Sequence, residues 1–251
     1  MTGEAVGPPP AAFVFGDELR RRLAENLARH PRQPLHVDGH RRAAVAVIVV
    51  DSDADRHGDD PNPAPPERMA GIPGAGDFPL TGSIRGTAGG PAILLTRRAP
   101  TLRAHGGQWA LPGGRIDVDE APIDAARREV SEELGLELEA DAALGCLDDY
   151  ATRSGYVITP FVFWGGAEPV LHPDPSEVLS VHRIAFRELC RADSPRFVSI
   201  PESDRPVVQL PIGGDLIHAP TAAVMLQFRR VAIEGVTERV ADYEQPVFAW
   251  R

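Results

Sequence analysis

The stretch Gly114–Leu136, GRIDVDEAPIDAARREVSEELGL, decides how this chain is read. Its second half predicts a helix over Pro122–Leu134. Proline falls in the first turn, where a missing N–H costs nothing, and Gly135 follows as a left-handed C-cap. At about 100° per residue, Glu129, Glu132 and Glu133 stand near 0°, −60° and +40°, so three carboxylates share one face. Ile123, Ala126, Val130 and Leu134 gather between about 60° and 140°, a stripe able to pack on a sheet. Like charges four residues apart cost a helix roughly 0.2–0.5 kcal/mol per pair. A hard divalent cation offsets that cost, and magnesium accepts carboxylate oxygens while keeping water and substrate phosphate as further ligands. The plainer alternative is a solvated acidic face.

The flanks favour the first reading. Pro112-Gly113-Gly114 supplies a tight loop that lets backbone approach metal and phosphate closely. Glu120 lies between loop and helix, and Arg128 sits beside Glu129, where its guanidinium can pair with and orient a carboxylate. Gly114, Glu120, Arg128, Glu129, Val130, Glu132, Glu133, Gly135 and Leu136 match the Nudix box, G-x5-E-x7-R-E-U-x-E-E-x-G-U with U apolar, at every defined position. At residue frequencies of roughly 5–10%, a chance match in a chain of this length is on the order of one in a million.

The resemblance implies an α/β fold, a Nudix-type α/β/α sandwich with a mixed β-sheet, and Mg2+- or Mn2+-dependent hydrolysis of a diphosphate linkage in a nucleotide-like molecule. It implies Glu129 and Glu133 as direct metal ligands, with Glu132 as a ligand or a hydrogen-bond partner of water in the metal's shell. The general base is Glu129 itself or a carboxylate outside the box. Glu177, in Pro175-Ser176-Glu177-Val178, is the candidate there, and the alternative for it is an exposed loop glutamate.

Upstream of the box, Leu94-Leu95-Thr96-Arg97-Arg98-Ala99, Arg103, Gly107 and Leu111-Pro112-Gly113-Gly114 resemble the coenzyme A diphosphatase signature L-L-T-x-R-[SA]-x3-R-x3-G-x3-F-P-G-G. The one departure is Leu111 where the signature has Phe, which removes a ring from either packing or substrate stacking. The resemblance implies coenzyme A or an acyl derivative as substrate, with 3′,5′-ADP and a 4′-phosphopantetheine as products. Gly113, Gly114, Arg98 and Arg103 would bind it, the two arginines as forks for phosphate. Other nucleoside diphosphate conjugates (ADP-ribose, a nucleotide sugar or a dNTP) are the alternative substrates, and a non-catalytic Nudix ligand sensor is a further one. Relatives often dimerise, so a homodimer is an open possibility.

Outward from this region, Ala43–Val50 reads as a buried strand and Asp17–Ala28 as an amphipathic helix carrying Leu19, Leu23 and Leu27. Between them and the next strand, Ala92–Arg97, the Asp-, Gly- and Pro-rich run 51–90 reads as a surface insertion, partly disordered. Its Asp51, Asp53 and Asp55 do not make a calcium loop, because Arg56 and Asn62 occupy the positions that require Gly and Glu. Further strands are expected at Glu137–Leu147, Val157–Trp164, Val178–Ile184, Arg196–Ile200 and Val207–Leu216, with a closing helix over Pro220–Ile233. The chain thus divides into an N-terminal extension (1–41), a main domain (42–234) containing the insertion, and a C-terminal extension (235–251).

Composition narrows the partners. A formal net charge of −10 argues against nucleic-acid binding, which relies on clustered cations. All 26 basic residues are arginine, so every charged contact to phosphate uses a guanidinium and lysine chemistry is excluded. Two cysteines, Cys146 and Cys190, are too few for a disulfide scaffold and read as buried, reduced thiols. With no secretory start and no apolar run long enough to span a bilayer, the expectation is a soluble, cytoplasmic protein.

Overall fold

The computed structural model describes residues 13–65, 72–102 and 106–250. Helix α1 (Asp17–Arg29) leads into the central strand β1 (Arg41–Val50), followed by a short helix α2 (Ala54–His57) and strands β2 (Ala92–Arg98), β3 (Trp109–Ala110) and β4 (Gly113–Arg115). Helix α3 (Pro122–Leu134) follows, then β5 (Ala143–Cys146), β6 (Tyr150–Ala151), β7 (Tyr156–Gly166) and β8 (Val178–Ala185). The chain closes through α4 (Phe186–Leu189), β9 (Arg196–Ile200), β10 (Ser203–Ile212), β11 (Asp215–His218) and α5 (Thr221–Gln227).

β1 organises the sheet. It runs parallel to β7 along its length, while its first half pairs antiparallel with β4 and its last two residues with β2. β2 in turn pairs antiparallel with β8 and β3. The small and β-branched run in β1 is apolar on both faces because both faces are covered. Ala44, Ala46, Ile48 and Val50 join Ala125, Ala126, Val130 and Leu134 of α3 in one core. Val47 and Val49 point the other way, into a core with Leu19, Leu23 and Leu27 of α1 and Phe228 and Val231 beyond α5. Helix, mixed sheet and helix form three layers, the α/β/α sandwich expected.

Several sequence-based boundaries move. Only Ala143–Cys146 of the stretch 137–147 is a strand. Leu136 and Leu138 are buried against the α3 core instead of alternating in a ladder, and Ala140–Ala142 forms a 3-10 turn. The segment Val207–Leu216 is two strands, β10 and β11, paired antiparallel with Ile212 opposite Asp215. With β9 they build a separate three-stranded sheet. The closing helix is regular only to Gln227, then widens to a π-helix over Phe228–Ile233.

The described parts of the insertion are packed. Asp60, 3% exposed, accepts the amide N–H of Ile84 at 3.0 Å, and Ile84 and Ala88 are buried. Gly82 donates to the Gly214 carbonyl at 3.0 Å, seating the insertion on the β10–β11 turn. The C-terminal residues are equally tied in. Glu244 is fully buried and its carboxylate accepts from Arg153, from Arg205 at 2.8 Å and from Ser203 at 2.8 Å. Cys146 and Cys190 are unpaired thiols, each half-buried, and burial raises the pKa of each to about 11. Among the described residues no helix is long and apolar enough to cross a membrane.

Candidate active site

Two elements deliver the acidic residues. Helix α3 forms as its sequence dictates, with proline at its first turn and Gly135 in the left-handed region at φ 61°. Its apolar stripe lies on β1, and the helix also packs along β4. Strand β4 holds Gly113 and Gly114 against β1. Gly113 requires glycine, and Gly114 leaves its side-chain space to Glu129. A Cβ on Gly113 would lie 2.3 Å from the Ala44 carbonyl oxygen, and one on Gly114 would lie 2.4 Å from the Glu129 carboxyl carbon. The main chain therefore approaches the carboxylates as closely as chemistry allows.

Arg128 is the hub of the exposed side. Its Nε and Nη2 donate to the two oxygens of Glu120 at 2.9 and 3.1 Å, and its Nη1 donates to Glu129 Oε1 and Glu132 Oε2, both at 3.0 Å. Nη2 also donates to the Arg115 carbonyl at 3.0 Å, fixing β4 to the helix. Glu120, gripped by this fork and accepting the Asp117 N–H, has its pKa held below the usual carboxylate range. It is a positioning residue.

Glu133 behaves oppositely. It is 4% exposed, its Oε2 lies 3.4 Å from the Gly113 nitrogen and its Oε1 3.9 Å from Arg98 Nη1. Burial pushes its pKa up to about 8, with Arg98 pulling it down and the charges of Glu129 and Glu177 pushing it further up. Glu129 is raised as well, chiefly by burial, against the pull of Arg128. The charge of Glu177, in the loop before β8, is felt by both carboxyls. The pairing of Val178 with Arg98 and a 2.8 Å bond from the Ala99 N–H to the Glu177 carbonyl set that loop in place.

Glu129, Glu133, Gly113, Gly114 and Arg98 are thus brought together, with Glu177 reaching them only through its charge. Glu132 is drawn to the outside by Arg128, its side chain 56% exposed. Arg103 lies outside the described residues. Leu111 is 5% exposed and packs in the core shared with Leu147 and Val49.

The donor set suits a hard divalent cation. Buried Glu133 and half-buried Glu129, whose ionised forms are disfavoured by burial, would each be stabilised by positive charge. Among the described residues no three His, Cys, Asp or Glu side chains are already gathered at metal-holding range.

Residues 83–202 match the model of the NUDIX domain. The chain is 35% identical over 111 residues to an uncharacterized Nudix hydrolase NudL of Photorhabdus laumondii, covering 44% of this chain and 59% of that protein. It is 40% identical over 104 residues to the NudL protein of Klebsiella pneumoniae, covering 40% and 53%. The chain therefore spans somewhat over half the length of these relatives. It is also similar to a MutT/nudix family protein from Enterococcus faecalis, at 16% identity and a TM-score of 0.45 over 84% of this chain and 73% of that one. The stretch that carries the box thus lies within the residues that are similar to a NUDIX domain.

Proposed function

We propose that this chain is a metal-dependent Nudix hydrolase that cleaves the diphosphate of coenzyme A, or of an acyl derivative, to 3′,5′-ADP and the (acyl-)4′-phosphopantetheine. The observation that carries the reading is the meeting of Arg98 with Glu133: the segment upstream of the box and the box itself converge on one buried carboxylate, 3.9 Å apart. A guanidinium in that place can exchange its weak carboxylate contact for the oxygens of a bound diphosphate.

Glu129 and Glu133 would hold the cation, with Glu132 on the exposed side. Mg2+ or Mn2+, when bound, makes water acidic enough to be a nucleophile and neutralises charge building on the diphosphate oxygens. Glu177 takes the proton from the attacking water. Its charge acts on Glu129 and Glu133 from a separate loop, whereas Glu129 is held by Arg128. Gly113 lets β4 lie close on β1 and Gly114 lets the Glu129 carboxylate rest against β4, and Arg98 orients the diphosphate for attack.

Product analysis with coenzyme A, ADP-ribose and a dNTP side by side, with magnesium or manganese, tests this. Release of 3′,5′-ADP from coenzyme A as the fastest reaction supports it. Brisk cleavage of ADP-ribose or of the dNTP with coenzyme A left intact overturns the substrate and leaves a Nudix hydrolase of another conjugate.

A further inference from the structure

Consecutive residues of a strand point to opposite faces, and β2 uses this at its end. Arg98 faces Glu133, while Arg97 lies on the other side of the sheet in the wall of a cavity of about 410 Å³. That volume falls in the range of small-molecule sites, roughly 300–1,000 Å³. Arg97 is 2% exposed, stacked with its Cζ 4.1 Å from the centre of the Trp109 ring, and it donates to the Asn62 carbonyl. Asp215 Oδ2 accepts the Trp109 indole N–H at 2.8 Å and lies 3.5 Å from Arg97 Nη2. This pair supplies the only charged side chains lining the cavity among the described residues, and the two neutralise each other.

The rest of the wall is aromatic and apolar. His218 meets Phe248 edge to face at 5.3 Å, and burial holds the His218 imidazole in its neutral form, its pKa well below the ordinary value. Thr221 opens helix α5 at the rim and donates to the Trp109 carbonyl at 3.3 Å. Three rings, one amide from Gln108 and the Thr221 hydroxyl offer flat faces and a few hydrogen-bonding edges, and among the described residues the only charged side chains beside them are Arg97 and Asp215, of opposite sign. Phosphate finds no such partner here, and a flexible aliphatic arm would leave the polar edges unmatched. A flat, uncharged heterocycle uses both.

We infer that this cavity is the seat of a nucleobase-like end of the substrate, whose diphosphate crosses the sheet edge at β3 to reach Arg98 and Glu133; the link to cleavage rests on the hydrolase reading above. Ala64 of the insertion and Phe248 of the C-terminal segment close the cavity, and Asp215, His218 and Thr221 also lie outside residues 83–202. The added segments thereby acquire a role as specificity elements belonging to this chain.

Adenosine tests the inference without any hydrolysis, since it carries no diphosphate, and pantetheine serves as the competing probe. Titration calorimetry on the full chain should detect adenosine and not pantetheine. Phe248→Ala, which removes a half-exposed ring, should weaken adenosine at least about fivefold, in line with the loss of one stacking partner. Thr221→Trp should fill the rim and abolish binding, and because Phe248 is partly exposed the first variant still decides the matter if the second fails to fold. Absence of adenosine binding, binding of pantetheine in its place, or wild-type adenosine affinity in a folded variant overturns the inference. Adenosine binding by a chain that cleaves no diphosphate keeps the cavity and removes the hydrolase. Coenzyme A cleavage by a chain that binds no adenosine does the reverse.

Discussion

Glu129 leans directly on Gly114: a methyl group built on that glycine would lie 2.4 Å from both the carboxyl carbon and Oε1 of the glutamate. The glycine is the floor on which the carboxylate rests, and the carboxylate's remaining freedom is taken by Arg128 at 3.0 Å.

Gly114→Ala should therefore move the Glu129 carboxylate while sparing the fold, since the side chain can rotate away where backbone could not. Displacements near 1 Å at a reacting centre cost about a hundredfold in rate. Steady-state kinetics should show kcat down by about that factor with the melting temperature changed by only a few degrees. Wild-type kcat in the folded variant would contradict the proposed role of this contact.

Arg128→Lys keeps the charge and loses the fork, so Glu120, Glu129 and Glu132 can no longer be held together. Loss of a group that orients metal ligands lowers metal affinity by roughly 10–100-fold. The magnesium concentration giving half-maximal rate should rise by about that factor, with most of the rate recovered at saturating metal. An unshifted metal dependence would show that Arg128 is structural only.

His182 offers a test of the fold away from the carboxylates. It is 5% exposed, shares a 2.8 Å hydrogen bond with Ser180 and packs edge-on to Trp109. Burial lowers its pKa from 6.5 to about 4. The unfolded chain takes up a proton below pH 6.5 that the folded chain refuses, so this contribution to stability is complete above pH 6.5 and is lost progressively toward pH 4. One pKa unit corresponds to about 1.4 kcal/mol, so roughly 2 kcal/mol should disappear between pH 7 and pH 5. His182→Gln should reduce the difference between urea unfolding free energies at those two pH values by about that amount. An identical pH dependence in wild type and variant would refute the assignment.

What the sequence disclosed was what local rules control. Pro122 and Gly135 bound α3, and the apolar run of β1 announced a strand covered on both faces, because caps and short-range burial patterns need no distant partner. The helical wheel placed three glutamates on one face but did not register that Arg128 pulls Glu132 outward, which depends on a rotamer and on Glu120 reaching back from the preceding loop. Leu138 imitated a strand because burial against α3 leaves the same apolar signature as a ladder. The Arg97–Trp109–Asp215 arrangement left no signal at all. Its members belong to three strands of two different sheets, and only the packed chain brings them together.

The central claim is that the buried carboxylate cluster on α3 drives metal-dependent cleavage of coenzyme A, and its most direct measurement is the initial rate of 3′,5′-ADP release against magnesium concentration for wild type and Glu133→Gln. A metal contributes several kcal/mol to such a transition state, so losing a ligand should cost on the order of a thousandfold. Wild type should show saturable magnesium dependence abolished by a chelator, with the folded variant about a thousandfold slower at every concentration. A chelator-insensitive rate, or undiminished turnover by Glu133→Gln, would contradict it.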